Sequence, residues 1–399
     1  MALKATEVFV PGAYPLHTYV ERAAEGLEDG LRDALNTTGQ VVSLSGPSKS
    51  GKTVLVERVV GRELLIPISG ASLRRPEEVW ERVLDWRNVP SSTSGTRTLG
   101  GSLGGEVGGK GSLGLELLAK AEVTGTARGE VTGETSAESV RERRGLRQVV
   151  DEIGGGNFVI LLDDFHYMER AVQVEVAKAL KEAVRLGVKI VTAAVSHRGD
   201  DVVRANPELR GRVRAIDLRY WSADELRQIA DAGFTALNAD LQPDAVTTCI
   251  NESAGSPQLM QLLCLQACFV LNLREESGTL VRLRVDQDTL QRILEQTSAN
   301  TDFRSLVDVL DAGPRTRGTE RKTYQFRDGT QGDVYRVVLK AVADNPSRLS
   351  FPYEELLKRT ANVCIADSPV GSSVTGTCLH MTKLAQDKFP NERAVDWDE

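Results

Sequence analysis

The chain has 399 residues, 41% hydrophobic and 26% charged, enough for two or three domains with cores of their own. Its 49 Lys and Arg against 56 Asp and Glu give a net charge of −7, which excludes a general nucleic-acid binder acting through its whole surface. No run reaches the roughly eighteen apolar residues of a membrane helix, the first residues carry no charged-then-apolar signal, and the five cysteines are odd in number and scattered, so a cytoplasmic, reducing setting is expected.

In chain order, the first clear element is a short apolar strand at 41–45. It runs into Gly46-Pro47-Ser48-Lys49-Ser50-Gly51-Lys52-Thr53, and a helix is predicted from Thr53 through Val54 and onward. Strand, glycine-rich loop and helix in this order form the context a phosphate loop requires. Backbone amides of residues 46–54 would turn inward around a phosphate at a helix N-terminus, where negative charge is favoured. Lys52 would reach the outer phosphates and Thr53 would hold Mg²⁺. The expected bound species are therefore ATP and Mg²⁺. A second strand region follows at 64–68.

Residues 91–137 then interrupt the pattern. From Leu99 to Gly133 every odd position is Gly, Ala, Val or Leu, whereas most even positions are Ser, Thr, Glu, Lys or Arg. Strict period-two alternation predicts a β-hairpin with one apolar face, turning near Gly108–Ser112. Such a face needs cover. It packs on its own core, or pairs with copies from other subunits, or joins several hairpins into a membrane barrel. The absence of an aromatic girdle counts against the barrel, and so against a membrane partner.

The next strand, 157–163, carries consecutive large apolar residues and ends in Asp163-Asp164, as a central parallel strand buried on both faces would. Asp163 is the expected Mg²⁺ carboxylate. Asp164 is placed to polarise an attacking water, or to cap the next helix. The strand at 188–195 ends in Ser196-His197, which would sense the terminal phosphate or simply begin a loop. Arg210, Arg212 and Arg214 precede the last strand. Arg212, ahead of Arg210, is the candidate arginine finger for a neighbouring subunit's nucleotide; a solvated basic loop is the alternative.

These elements together resemble the AAA+ and STAND P-loop ATPases, near the origin-recognition-type and NACHT-like branches and similar to bacterial defence ATPases. Thr18-Tyr19-Val20-Glu21-Arg22 occupies the place of those families' adenine-side motif, with Glu21 where they carry Gly. Ser253-Ala254-Gly255-Ser256-Pro257 looks like the STAND G-x-P motif. The resemblance implies that Arg22 and Pro257 flank the adenine. It also implies a helical lid starting at Trp221, with Ser222 as N-cap and Glu225 completing a capping box. Cys264 and Cys268 fall one turn apart in an apolar run and read as core thiols. Asp164 stands where many AAA+ enzymes have Glu, and the shorter carboxylate suits slow turnover.

The expected fold is α/β: a P-loop NTPase doubly wound parallel sheet with a helical lid, a C-terminal winged-helix-like domain and an inserted β-hairpin. The expected boundaries are 1–220 for the core, 91–137 for the insertion, 221–300 for the lid, 301–333 for a basic linker and 334–399 for the winged-helix-like unit. That tail has eight Lys and Arg (336, 340, 348, 358, 359, 383, 388, 393) against nine Asp and Glu (344, 354, 355, 367, 387, 392, 396, 398, 399), so 8 − 9 = −1, which favours protein packing over phosphate tracking.

Two functions stay open on sequence. One is a slow ATPase switch of STAND type, in antiphage defence or signalling, that forms homo-oligomers and answers to a protein trigger or effector. The other is a DNA-associated AAA+ loader or transposition-type regulator in which the winged-helix-like tail and the basic loop Arg315–Arg327 touch DNA; DNA is the less favoured partner. A plain monomeric ATPase is the bland third.

Overall fold

The computed structural model describes residues 2–22, 25–89, 94–96, 138–140, 145–195, 201–299, 303–314, 321–344, 352–389, 395 and 397. After one turn, α1 (Ala5–Val8), and an extended segment, α2 (Leu27–Asn36) leads to β1 (Val41–Ser45). The glycine-rich loop joins β1 to α3 (Lys52–Val60), followed by β2 (Leu65–Ser69) and α4 (Glu78–Trp86). Two short strands, β3 (Ser94–Thr96) and β4 (Glu138–Val140), pair antiparallel with Ser94 opposite Val140. The alternating stretch 99–133 between them lies outside the described residues. Then come α5 (Leu146–Ile153), β5 (Val159–Asp163), α6 (Arg170–Arg185), β6 (Lys189–Ala194), α7 (Asp201–Ala205) and β7 (Val213–Asp217). Arg214 therefore lies within the last strand, one of the two residues by which that strand starts earlier than the pattern predicts.

The central sheet has the order β2-β5-β6-β1-β7 with every neighbour parallel, an α/β doubly wound arrangement. Alternate residues serve its two faces. Val41, Ile66, Ile160, Leu162 and Ile190 join Val83 of α4 and Val176 and Leu180 of α6 in one buried cluster. Val42, Leu44, Leu161 and Val191 join Leu31 of α2 and Leu55 and Val56 of α3 in the other. Cover on both faces is the physical reason that β1 is buried along its whole length and that β5 runs apolar from Val159 to Leu162. The edge strand β7 is only half-covered.

A helical unit follows: α8 (Ala223–Ala236), β8 (Ala239–Leu241), α9 (Pro243–Glu252), α10 (Pro257–Val270), β9 (Val281–Leu283) and α11 (Gln287–Ala299). Ser222 caps α8 with the predicted box, its Oγ accepting from the Glu225 N–H while Glu225 accepts from the Ser222 N–H. Helix α10 is apolar nearly all round because it is the unit's centre. Cys249, Cys264 and Cys268 are buried there, and burial raises their thiol pKa values, to about 11 for Cys249 and about 12 for Cys268. The N-terminal segment belongs to this core: Phe9 is fully buried beside Phe234, ring centroids 5.2 Å apart. Segment 8–22 thereby runs between the helical unit and the sheet.

The last part holds α12 (Phe303–Ala312), the small antiparallel pair β10 (Tyr324–Gln325) and β11 (Gln331–Gly332), and α13 (Val334–Ala343), α14 (Tyr353–Val363) and α15 (Gly371–Lys388). The three helices share one core through Tyr335, Val338, Leu356, Val374 and Met381. Among the described residues no helix is long and apolar enough to cross a membrane.

Candidate nucleotide site

The glycine-rich loop sits at the C-terminal end of β1, where Ser45 is paired with Ala194 and Asp217. Ligands of doubly wound sheets bind at this end. Gly46 is held so close beneath the end of β7 that a Cβ there would lie 2.8 Å from Leu218 Cβ and Leu218 O. Lys49 takes a left-handed φ of 62°, a conformation that turns successive backbone N–H groups to one side. Pro47 is buried; Ser48 and Lys49 are exposed at the loop tip, and Ser50 is 2% exposed.

Lys52 begins α3 and folds back over the loop, its Nζ donating to Gly46 O at 2.9 Å and Pro47 O at 2.7 Å. Burial pushes its ammonium pKa down, against the opposing pull of Asp163 and Asp164. A half-buried ammonium resting on two neutral carbonyls is placed to exchange them for a charged oxygen. Thr53 Oγ1 donates to Asp163 Oδ2 at 2.8 Å, so the two expected Mg²⁺ ligands already face one another. A hydroxyl and a carboxylate are hard oxygen donors. Mg²⁺ in nucleotide sites takes only one or two protein groups beside phosphate oxygens and water. The residues present fit that ion.

Asp164 follows Asp163 in left-handed backbone, φ 56°, with its N–H donated to Asp163 Oδ1 at 2.9 Å. It stands at the N-cap of a short 3₁₀ turn (Phe165–Tyr167), yet its side chain makes no capping hydrogen bond. The capping alternative is thus not realised. Burial first, and the Asp163 charge second, raise the Asp164 carboxyl pKa above the usual aspartate value, with Lys52 opposing. That is the direction that makes an aspartate a better proton acceptor near neutral pH.

Beside the loop opens a cleft enclosing about 650 Å³, part of it open to solvent, within the range of small-ligand sites. The structure brings Arg22 and Pro257, 235 positions apart in the chain, into its wall together with Lys49, Ser50, Gly51 and Val54. Arg22 is 5% exposed, bonded to Glu225 at 3.1 Å and Glu25 at 2.7 Å. Tyr19 donates to Glu28 Oε1 at 2.6 Å on the same wall, and burial, with Glu28, raises its pKa.

Two predicted groups stand apart. Ser196 and His197 lie outside the described residues. Arg210 and Arg212 are exposed at the start of β7, level with Val41, whose N–H donates to Arg212 O at 2.8 Å. Four residues of strand, about 13 Å, separate that level from the phosphate loop. Arg212 is therefore not part of its own chain's site, and a role for it requires a second subunit.

Sequence reasoning missed Trp221 as a site residue. Its indole Nε1 donates to Ser50 O at 3.1 Å and its ring lines the cleft. The available signal was a lone Trp immediately before a capping box, at the junction of strand and helical unit. Val10 and Pro11 line the cleft too, with nothing in their local sequence to mark them.

No family model matches the chain, and no curated protein is similar to it. Solved structures that overlap it include the Holliday junction branch migration motor RuvB of Thermotoga maritima, at 13% identity and TM-score 0.43, covering 77% of this chain and 82% of that one. The Orc1 protein of Aeropyrum pernix in complex with DNA overlaps at 16% identity and TM-score 0.44, covering 96% and 87%. Cdc6p of Pyrobaculum aerophilum overlaps at 12% identity and TM-score 0.46, covering 97% and 91%.

Proposed function

We propose that this chain is an ATP-binding, slowly hydrolysing switch of the AAA+/STAND kind, which assembles with copies of itself when ATP is bound. Bacterial defence or signalling is the setting that the STAND resemblance suggests. One observation carries the reading: phosphate loop, N-terminal segment and helical unit wall a single cleft, through Lys49–Gly51, Arg22 and Pro257. A nucleotide there touches two separately packed parts of the chain, the sheet that carries the phosphate loop and the helical core that the N-terminal segment joins, so its presence and its state bear on how they sit together.

The residues divide the chemistry. Lys52 neutralises charge on the outer phosphates. Thr53 Oγ1 and Asp163 would hold Mg²⁺, which supplies further charge neutralisation when bound. Asp164 accepts a proton from the attacking water at its carboxylate. Its short side chain and strained backbone suit slow turnover and a long-lived bound state. Arg212 of a second copy would complete the site, so that hydrolysis depends on assembly. The DNA-loader alternative draws no support from the described part of the basic linker, where Arg321 and Lys322 are paired with Asp333 and Asp367.

The test is the mass distribution, by mass photometry, of wild type and Lys52→Ala with and without MgATP. Assembly of wild type alone, and only with MgATP, is the expected result. Two species that stay monomeric throughout, in a protein shown to bind ATP, would refute the switch.

A further inference from the structure

The connection from β7 to α8 is clasped from three directions. Trp221 donates from Nε1 to Ser50 O in the phosphate loop and from its backbone N to Gly255 O, each at 3.1 Å. The Arg22 guanidinium lies over the indole, 5.4 Å from the ring centroid. Arg22 in turn holds Glu225, the capping-box residue of α8, and Glu25, which also pairs with Arg219. Arg22 Nη1 and Ser50 Oγ are buried with no hydrogen-bond partner.

The peptide joining Ser50 to Gly51 is planar and trans, so its carbonyl and its N–H point in opposite directions. By holding the Ser50 carbonyl, Trp221 aims the Gly51 N–H the other way, away from the helical unit. We propose that Trp221 is the positioning residue that sets this peptide for the phosphate and carries the occupancy of the loop to the first turn of α8. It acts through one hydrogen bond and through the Arg22–Glu225 pair stacked on its ring. The proposal rests on the nucleotide reading of the cleft.

Trp221→Phe keeps an aromatic ring beneath Arg22 and removes the N–H donor along with one ring of the indole. MgADP affinity, measured by calorimetry, should fall roughly threefold to tenfold, the span of one net hydrogen bond. The change in intrinsic fluorescence that MgADP causes in wild type should vanish in the variant, because Trp80, Trp86 and Trp397 lie in other cores or on other surfaces. Hydrogen exchange of the wild type supplies a readout that survives misfolding of the variant: MgADP should slow exchange across residues 219–228 as well as in the loop. Unchanged affinity with an unchanged fluorescence response, or loop protection without protection of 219–228, overturns the inference and leaves nucleotide binding standing. Failure of wild type to bind MgADP at all removes the nucleotide reading and the inference with it.

Discussion

Gly255, the glycine of the G-x-P motif, is where sequence and cleft can be tested together. Its φ is +79°, and a Cβ there would lie 2.8 Å from Tyr220 Cδ1 and 2.9 Å from Tyr220 Cβ. Gly255→Ala therefore meets two costs. Left-handed backbone costs a residue with a Cβ about 1–2 kcal/mol. Ordinary contact begins at 3.4 Å, so Tyr220 must retreat by 3.4 − 2.8 = 0.6 Å. Tyr220 Cβ is tied to the backbone and cannot swing away as a side-chain tip would, so the overlap costs about another 1–3 kcal/mol. The sum, about 2–5 kcal/mol, should lower the thermal midpoint by roughly 2–6 °C for a chain of 399 residues. Because Gly255 O also accepts from Trp221, and Pro257 lines the cleft, nucleotide affinity should fall by several-fold in the same variant. Gly255→Asn separates the two costs, since Asn tolerates positive φ but still carries a Cβ. Scanning calorimetry and titration with MgADP read both. Wild-type stability in Gly255→Ala, or full recovery in Gly255→Asn, would refute the overlap with Tyr220.

Asp164→Asn should retain nucleotide binding, lose hydrolysis and gain stability near neutral pH. A carboxyl whose folded pKa is raised stabilises the fold only below its unfolded pKa, and that contribution is lost as pH rises, so removing the charge removes the loss; a lower melting point at pH 7 would contradict this. For the same reason wild-type hydrolysis should fall as pH drops through a value above the ordinary aspartate pKa, whereas an acid limb at or below that value would deny Asp164 the role of base. Lys52→Ala should abolish MgATP binding at little cost to the fold, because burial already disfavours the ammonium there; retained binding in a calorimetric titration would remove Lys52 from the site. Equimolar mixing of Asp164→Asn subunits, which still bind nucleotide, and Arg212→Ala subunits should recover about a quarter of wild-type turnover, the fraction of interfaces pairing an intact Asp164 with an intact arginine. No recovery would dismiss Arg212 as a finger in trans.

The phosphate loop, the acidic strand and the capping box were legible from sequence because each is a local device. Gly46 through Thr53 need only their own backbone to form a nest at a helix start. Residues 159–162 need only two covering layers to require an unbroken apolar run, and Ser222 with Glu225 satisfies amides within one helical turn. Arg22 and Pro257 were reachable only through resemblance, since nothing in either pentapeptide states what it faces. The rest waited on tertiary structure. Trp221 matters because a strand end, a loop carbonyl and a buried guanidinium converge on it from positions 22, 50 and 221, and a hydrogen bond over 171 residues leaves no period in the sequence. The placement of Arg212 was likewise decided by the parallel register of β7 on β1, which sets it at the far end of the sheet from Lys52. Local sequence determines which backbone groups can bind phosphate; only packing decides which distant side chains the bound phosphate can move.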